Sequence, residues 1–278
     1  MPVRKRFGQH FLHDIRIIER IVDAVAPAPG DRVVEIGPGR GALTWRLLER
    51  AGTLDVIEID RDLASRLAQD VRSHHLQIHV LDVLDADFRA LRAEGPPLRI
   101  VGNLPYNIST PLIFRLLAQR AAIGDMLFML QREVVERMCA EPGSKTYGRL
   151  TVMLAAHAEA ESLFDVGPGA FQPPPKVWSA IVRIRPSAQP RFDIGSEASL
   201  RQIVGAAFSH RRKTLRNGLK GLLAAGDIEA CAIDPGARPE TLTPAQFGLL
   251  AARFCQLYSN RNGALRDNPG TGGLVEDE

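Results

Sequence analysis

The chain has 278 residues, which is enough for two domains or one large one. With 45% hydrophobic and 24% charged residues, it has the composition of a soluble globular protein, and no apolar run is long enough to cross a bilayer. A net charge of +3 excludes no partner by itself. The basic first residues lack the apolar stretch of a secretory signal, and three scattered cysteines lack metal-ligand spacing. We expect a cytoplasmic monomer with no metal and no membrane partner.

Short apolar strands alternate with helices through residue 130, which is typical of parallel βαβ units. The predicted strands cover residues 33–36, 54–59, 76–81, 98–102, 126–130, 159–166 and 177–185. The predicted helices in this part cover residues 14–26, 42–50, 61–72, 131–140 and 149–157, with another that starts at 109. The basic opening at residues 4–12 contains Phe7 and Phe11, and we expect it to fold over a ligand pocket.

The sequence VVEIGPGRG at residues 33–41 joins the first predicted strand to a helix through a glycine-rich turn. Such a turn presents backbone N–H groups to a ligand at the carboxyl edge of a parallel sheet. Its spacing differs from the GxGxxG of dinucleotide-binding enzymes, and Glu35 would repel a pyrophosphate. Glu35 instead indicates a ligand with an ammonium group, which we infer to be S-adenosylmethionine. An ordinary tight turn is the alternative.

Carboxylates end the next two predicted strands. Glu58 lies about twenty residues after the glycines, where a carboxylate can accept both hydrogen bonds of a ribose diol. Asp82 follows the third strand, where it can accept a hydrogen bond from the exocyclic amine of an adenine. Asp60 fits better as the cap of the following helix. These positions are consistent with the adenosine part of the same ligand.

The sequence NLPY at residues 103–106 follows the fourth predicted strand and has the features of a catalytic turn. The proposed target is an amino group on an aromatic base. Such a group is a poor nucleophile because its lone pair is delocalised into the ring. The Asn103 side-chain carbonyl and the Leu104 backbone carbonyl can each accept one N–H bond, which favours a pyramidal nitrogen. Tyr106 offers a face for the base, and Phe171, in a proline-rich loop, is a candidate second aromatic wall. A plain turn and a core phenylalanine are the alternatives.

From residue 196 the pattern is helical, with helices predicted over residues 196–208, 211–223, 228–232 and 243–257. Residues 198–226 contain no acidic residue. A spacing of four would place Arg212, Arg216 and Lys220 on one face of the second helix. This density of positive charge favours nucleic acid over a merely solvated helix face. The candidate RNA-binding residues are Arg4, Lys5, Arg6, Arg211, Arg212, Lys213, Arg216 and Lys220. We predict an S-adenosylmethionine-dependent methyltransferase domain over residues 1–188, a helical RNA-binding domain over 189–258 and a disordered tail over 259–278.

Taken together, the motifs resemble those of the ribosomal RNA adenine dimethyltransferases. The motifs are FGQHFL, EIGPGRG, VIEID, GNLPYNIST, FQPPPKVWS and FSHRRKTLRNGL, and they extend from Phe7 to about Phe254. The last of them resembles the branch that acts on small-subunit (16S) rRNA rather than the large-subunit antibiotic-resistance methylases. The family usually has Asn at the position of His10, and an imidazole cannot copy the donor-plus-acceptor geometry of an amide.

The resemblance implies an α/β fold, namely a Rossmann-like class I methyltransferase with a mostly parallel seven-stranded sheet, followed by a small helical domain. It implies donor contacts by His10, Leu12, Gly37, Glu58, Asp82 and Asn103. The target adenine would lie between Tyr106 and Phe171. The implied reaction uses S-adenosylmethionine to place four methyl groups on the N6 atoms of two adjacent adenosines, in a hairpin loop near the 3′ end of small-subunit rRNA. The implied partner is a nearly assembled pre-30S particle.

Three other functions are kept as alternatives. A ribosome-assembly factor without catalysis would not need the intact NLPY and EIGPG motifs. A nicotinamide dehydrogenase is disfavoured by the glycine spacing and by Glu35. A large-subunit rRNA adenine methyltransferase is the nearest enzymatic rival.

Overall fold

A computed structural model describes residues 10–70, 74–106, 108–209 and 213–262. The chain forms two compact units, one of residues 1–135 and 159–188 and the other of residues 136–158 and 189–278. Residues 136–158 therefore belong to the second unit, whereas the sequence predicts them in the first domain. Among the described residues, no helix combines the length and the apolar character that a membrane span requires.

Nine strands occur in the described part of the chain. In chain order they are β1 (Phe11–Leu12), β2 (Val33–Ile36), β3 (Leu54–Ile57), β4 (Leu76–His79), β5 (Leu98–Asn103), β6 (Ile123–Gln131), β7 (Ala158–Val166), β8 (Phe171–Gln172) and β9 (Ser179–Pro186). The main sheet has seven strands in the order β4-β3-β2-β5-β6-β9-β7, and β1 pairs separately with β8. Neighbouring strands from β4 to β6 are parallel, and β6 pairs with β9 in the antiparallel direction. The expected mostly parallel, seven-stranded sheet is confirmed.

The strand order reverses beside β2, which has β3 on one side and β5 on the other. All four residues of β2 are buried, as expected for a central strand covered on both faces. In a sheet of this type ligands bind beyond the carboxyl ends of the strands at the point of reversal. The glycine turn after β2 and the NLPY sequence at the end of β5 both lie there.

The helices alternate with the strands in the first unit and dominate the second. The bounds are α1 (Ile15–Val25), α2 (Thr44–Ala51), α3 (Arg61–Ala68), α4 (Phe88–Arg92), α5 (Ser109–Ala118), α6 (Arg132–Met138), α7 (Arg149–Ala155), α8 (Glu197–Ser209), α9 (Leu215–Gly218), α10 (Ala225–Glu229) and α11 (Pro244–Asn262). Asp14 caps α1 by accepting from the backbone N–H groups of Arg16 and Ile17. The buried face of α1 then covers one side of the sheet core.

The second unit has its own core of aromatic side chains. Tyr147 is fully buried, and its hydroxyl donates to the Leu242 carbonyl at 2.7 Å. The rings of Phe208 and Phe247 have centroids 5.4 Å apart. Tyr147 comes from residues 136–158, so this segment contributes directly to the helical core.

The structure corrects two predictions in the second unit. The helix predicted over residues 211–223 is wrong, because α9 contains only four residues and Gly221 has a φ of +89° that ends any continuation. Lys220 therefore lies in a turn and does not continue a helical face with Arg216. Residues 259–262, predicted as part of a disordered tail, form the last turn of α11, and residues 263–278 lie outside the described residues.

Candidate active site

A cavity of about 300 Å³ lies in the first unit beyond the carboxyl ends of β2, β3, β4 and β5. It brings together nearly all of the predicted donor-binding and catalytic residues. The predicted residues that line it are His10, Leu12, Glu35, Gly37, Glu58, Asp82, Asn103, Leu104 and Tyr106. The volume and the mixture of apolar walls with a few polar groups are typical of a small-molecule site.

Residues 10–12, the described part of the opening segment, lie at the cavity and the glycine turn. Phe11 and Leu12 both line the cavity, and β1 is held there by its pairing with β8. A Cβ on Gly39 would lie 3.3 Å from the Phe11 ring, so this glycine permits the close approach. The Arg40 guanidinium lies 4.3 Å from the centroid of the same ring and adds a cation–π contact. Residues 1–9, which include Phe7, lie outside the described part of the chain.

Glu58 follows β3 and is held by the backbone of its neighbours. Its Oε2 accepts from the Gly39 N–H at 3.2 Å and its Oε1 accepts from the Asp60 N–H at 2.9 Å. Burial raises the pKa of Glu58, and the two backbone hydrogen bonds oppose that shift. The carboxylate therefore bridges the glycine turn and the start of α3 at a fixed position. Asp60 caps α3 through the Asp62 N–H, as its alternative interpretation predicts.

Glu35 lies in the middle of β2 and is 2% exposed. Its Oε2 accepts from the Thr44 hydroxyl at 2.6 Å. Burial raises the pKa of Glu35 to about 8, the Thr44 hydrogen bond opposes the shift, and the nearby Glu58 charge adds to it. A cation bound in the cavity would favour the ionised form. Thr44 was not singled out from the sequence, although it follows the glycine turn at the first position of α2.

Asp82 lines the cavity from the segment after β4. Its Oδ1 accepts from the Leu84 N–H at 2.9 Å, which caps the short helical turn that follows. This hydrogen bond fixes the carboxylate while leaving its second oxygen as an acceptor. A carboxylate oxygen fixed at the cavity wall is suited to receive an exocyclic amine.

Asn103 reaches the cavity because β2 and β5 approach closely. A Cβ on Gly102 would lie 2.7 Å from the Ile36 carbonyl oxygen, so only glycine fits before Asn103. The Asn103 side chain donates from Nδ2 to the His10 carbonyl at 3.1 Å. This bond orients the amide and leaves its Oδ1 as an acceptor. The next residue, Leu104, is fixed by its N–H, which donates to the Met129 carbonyl at 3.2 Å.

Tyr106 is oriented by partners on both sides. Its hydroxyl shares a hydrogen bond of 2.9 Å with the hydroxyl of Ser179, and burial raises the pKa of the phenol. The His10 ring stacks on the tyrosine at a centroid distance of 6.0 Å and an interplanar angle of 27°. The His10 Nδ1–H donates to the Pro173 carbonyl at 2.8 Å. The contact of His10 with Tyr106 was not predicted, because these residues are distant along the chain.

Phe171 is not part of the cavity wall, so its expected place against the target base is not seen. The side chain is 3% exposed and belongs to the core that contains Leu12, Val166 and Ile181. Side chains alternate along a strand, and in β8 it is Gln172 that faces solvent. The side chain thus packs in the core, as the alternative interpretation has it, and its stacking on the target base stays a prediction.

The predicted RNA-binding residues are only partly within the described chain. Arg4, Lys5, Arg6, Arg211 and Arg212 lie outside it. Lys213, Arg216 and Lys220 are exposed around α9 in the second unit, while Leu215 and Leu219 are fully buried beneath them. No group of three or more potential metal ligands occurs among the residues that the structure describes.

A family model described as ribosomal RNA adenine dimethylase matches residues 2–255. The chain belongs to this family. It is 52% identical over 248 residues to the ribosomal RNA small subunit methyltransferase A of Alcanivorax borkumensis, an alignment that covers 89% of each protein. The membership confirms the predicted enzyme class and leaves no support for a nicotinamide dehydrogenase.

Two solved structures support the fold. A dimethyladenosine transferase from Plasmodium falciparum has a TM-score of 0.76 at 26% identity, covering 91% of this chain and 98% of that chain. The 23S rRNA methyltransferase ErmE has a TM-score of 0.68 at 28% identity, covering 88% of this chain and 99% of that chain. The predicted Rossmann-like methyltransferase fold is thereby confirmed.

Proposed function

We propose that this protein dimethylates the N6 atoms of two adjacent adenosines in a hairpin loop near the 3′ end of small-subunit rRNA, with S-adenosylmethionine as methyl donor. The proposed partner is the pre-30S particle, which the protein would meet as a cytoplasmic monomer during subunit biogenesis. High identity to small-subunit methyltransferases supports the choice of subunit. The arrangement of Asn103, Leu104 and Tyr106 at one end of the cavity supports the choice of chemistry.

The cavity fits the parts of the donor. Glu58 presents a carboxylate for a ribose diol, and Asp82 presents an oxygen for an adenine amine. Glu35 supplies negative charge for an ammonium group. The backbone carbonyl of His10 accepts from the Asn103 amide and orients it. This contribution of His10 to the site does not depend on its side chain. The bound donor would supply a methyl carbon attached to a sulfonium; attack by a nitrogen lone pair on that carbon would break the C–S bond and leave its electron pair on the sulfur as a neutral thioether.

The residues after β5 act on the amine that is methylated. In the first transfer the Asn103 Oδ1 and the Leu104 carbonyl accept its two N–H bonds, so that the lone pair points away from both. In the second transfer the amine keeps one N–H, which one of these oxygens accepts. Partial negative charge at these oxygens stabilises the positive charge that the nitrogen gains during transfer. The new ammonium group then loses a proton to water, and no general base is required. Alignment at near-attack distance supplies the rest of the rate enhancement.

The target base requires the face of Tyr106, part of which the His10 ring now covers. Insertion of a base between the two rings would need a centroid separation of about 7 Å, twice the usual stacking distance, compared with the observed 6.0 Å. A small displacement of His10 therefore accompanies base binding. Since the target must leave its stack to reach the cavity, the site fits a nucleotide in a loop better than one in a helix.

The observation that carries the proposal is the juxtaposition of the Asn103 amide with the carboxylates of the donor cavity. The test is to incubate the protein with tritiated S-adenosylmethionine and with undermethylated small or large ribosomal subunits. Mass mapping of the nucleosides should find dimethyladenosine at two adjacent positions in small-subunit rRNA only. Label in large-subunit rRNA would favour the activity of a 23S rRNA methyltransferase such as ErmE, and binding without label would favour an assembly factor without catalysis.

A further inference from the structure

The loop between β8 and β9 carries an exposed aromatic side chain that the proposed chemistry does not use. Trp178 is 50% exposed, and the adjacent Val177 is 42% exposed. Exposed tryptophans are uncommon, because an indole buries a large apolar area when it finds a partner. The exposed indole is therefore a candidate contact for a binding partner.

Both ends of the loop are fastened to the rim of the cavity. At one end the Pro173 carbonyl accepts from the His10 ring at 2.8 Å. At the other end Ser179, the residue after Trp178, shares its hydroxyl hydrogen bond with Tyr106. His10 and Tyr106 both line the cavity. Along the chain, Trp178 is thus adjacent to Ser179, whose hydroxyl positions the base-stacking Tyr106.

The tryptophan is held in place before any ligand arrives. Its carbonyl accepts from the Arg132 N–H at 2.9 Å. Its six-membered ring lies against Gly167, where a Cβ would be 3.6 Å from the nearest ring atom. The Arg132 guanidinium is 5.9 Å from the ring centroid. A rigid aromatic surface loses little conformational entropy when it binds.

The charges around the indole match a nucleic acid strand. Lys176 is exposed, and no carboxylate among the described residues pairs with it. Arg132 forms an ion pair of 3.6 Å with Asp165, and both side chains are about half exposed. An aromatic face bordered by cations is the arrangement that binds unpaired bases and their phosphates. We propose that Trp178 stacks on an unpaired base of the RNA that flanks the nucleotide in the cavity, with Lys176 beside the phosphate.

This inference rests on the proposed function, and steady-state kinetics with undermethylated small subunits test it. Trp178→Ala should raise the KM for subunits about tenfold, while kcat and the KM for S-adenosylmethionine stay near wild type. Trp178→Phe should keep most of the affinity, because it keeps an aromatic face. Ile15→Ala, which shortens another exposed apolar side chain of the same unit, is the control and should change nothing. An unchanged KM in Trp178→Ala, or an equal rise in Trp178→Phe or Ile15→Ala, would overturn the proposal.

Fluorescence tests the contact without catalysis. The chain has two tryptophans, so quenching by a single-stranded oligoadenylate can be compared between the wild type and Trp178→Phe. Quenching that disappears in the variant supports stacking at Trp178, and no quenching in the wild type contradicts it. A higher KM without quenching by RNA would assign the residue to a protein partner and reject the proposal. If the wild type methylates no subunit, the proposed function fails, and the quenching result still stands by itself.

Discussion

The two units hold their charged side chains in opposite ways. In the first unit Glu35 and Glu58 are 2% and 5% exposed, and hydrogen bonds from the surrounding chain fix both carboxylates. In the second unit Arg216 and Lys220 extend into solvent above the buried Leu215. A site for a small ligand needs a few polar groups held in place, whereas a surface for a polyanion needs several accessible cations.

This difference implies two kinds of response to substitution. A change in the cavity should alter chemistry or folding and depend little on salt, because the groups are shielded from solvent. Replacement of a cation around α9 should weaken RNA binding, and the loss of affinity should become smaller as the ionic strength rises.

Asn103→Ala should lower methyl transfer by about a hundredfold or more, because it removes the amide oxygen that accepts from the reacting amine. Cosedimentation with small subunits should remain nearly unchanged, because the RNA surface around α9 is untouched. Asn217→Ala, the same replacement near α9, should keep full kcat. Activity of Asn103→Ala above about a tenth of wild type would show that the amide does not activate the amine.

Phe171→Ala should lower the free energy of unfolding by about 3–5 kcal/mol, the usual cost of emptying a buried phenylalanine site. Phe171→Leu should lose less, because it fills more of the space beside Leu12 and Ile181. Urea unfolding of the two variants and the wild type measures the difference. A stable Phe171→Ala with a slow methyl-transfer step would instead support the stacking role expected from the sequence.

Strand-and-turn motifs were predictable because each is specified locally. The apolar run at Val33–Ile36, the glycines after it and Asn103 at the end of β5 each lie in a continuous sequence, and the sheet brings their carboxyl ends together. The side-chain contacts within the cavity were not predictable in this way. The contact of His10 with Tyr106, and the hydrogen bond of Asn103 to the His10 carbonyl, join residues far apart in the chain.

The second unit shows why a regular spacing of charged residues is weak evidence for a helix. The spacing of Arg216 and Lys220 suits a helix, but α9 ends at Gly218, and the φ of +89° at Gly221 prevents its continuation. The N–H groups of Leu215 and Arg216 instead donate to the carbonyls of Ala237 and Pro235. Tertiary hydrogen bonds of this kind override local helix propensity. Leu215 and Leu219 are fully buried even so.

The pH dependence of stability should report the burial of Glu35. Since its folded pKa of about 8 lies above its ordinary value of 4.5, the folded state retains a proton that the unfolded state releases. The stability associated with this proton is complete below about pH 4.5 and is lost as the pH rises through 8. Glu35→Gln should therefore gain stability relative to the wild type between pH 5 and 8 in urea unfolding. A constant difference across that range would mean that Glu35 is ionised throughout.

Replacing Arg216 and Lys220 together by alanine should weaken binding to small subunits about tenfold at low salt. The slope of log affinity against log salt should become shallower by about 0.7 to 0.9 for each lost phosphate contact. Arg61→Ala combined with Arg66→Ala, two exposed arginines on α3, is the matched control for net charge. An unchanged slope in the first variant, or an equal change in the control, would place the RNA contact elsewhere.

The smallest effect is expected for His10→Asn, which keeps the backbone carbonyl of this residue and removes its ring. The His10 carbonyl that orients Asn103 is retained, so the affinity for S-adenosylmethionine should change by less than about threefold in calorimetry. Loss of the ring uncovers Tyr106, and the KM for small subunits should fall or stay the same, because a base no longer has to displace the imidazole. A higher KM for subunits with unchanged donor affinity would mean that the imidazole itself holds the target base. His10 would then belong with Tyr106 as a second aromatic wall, the place that the sequence assigned to Phe171.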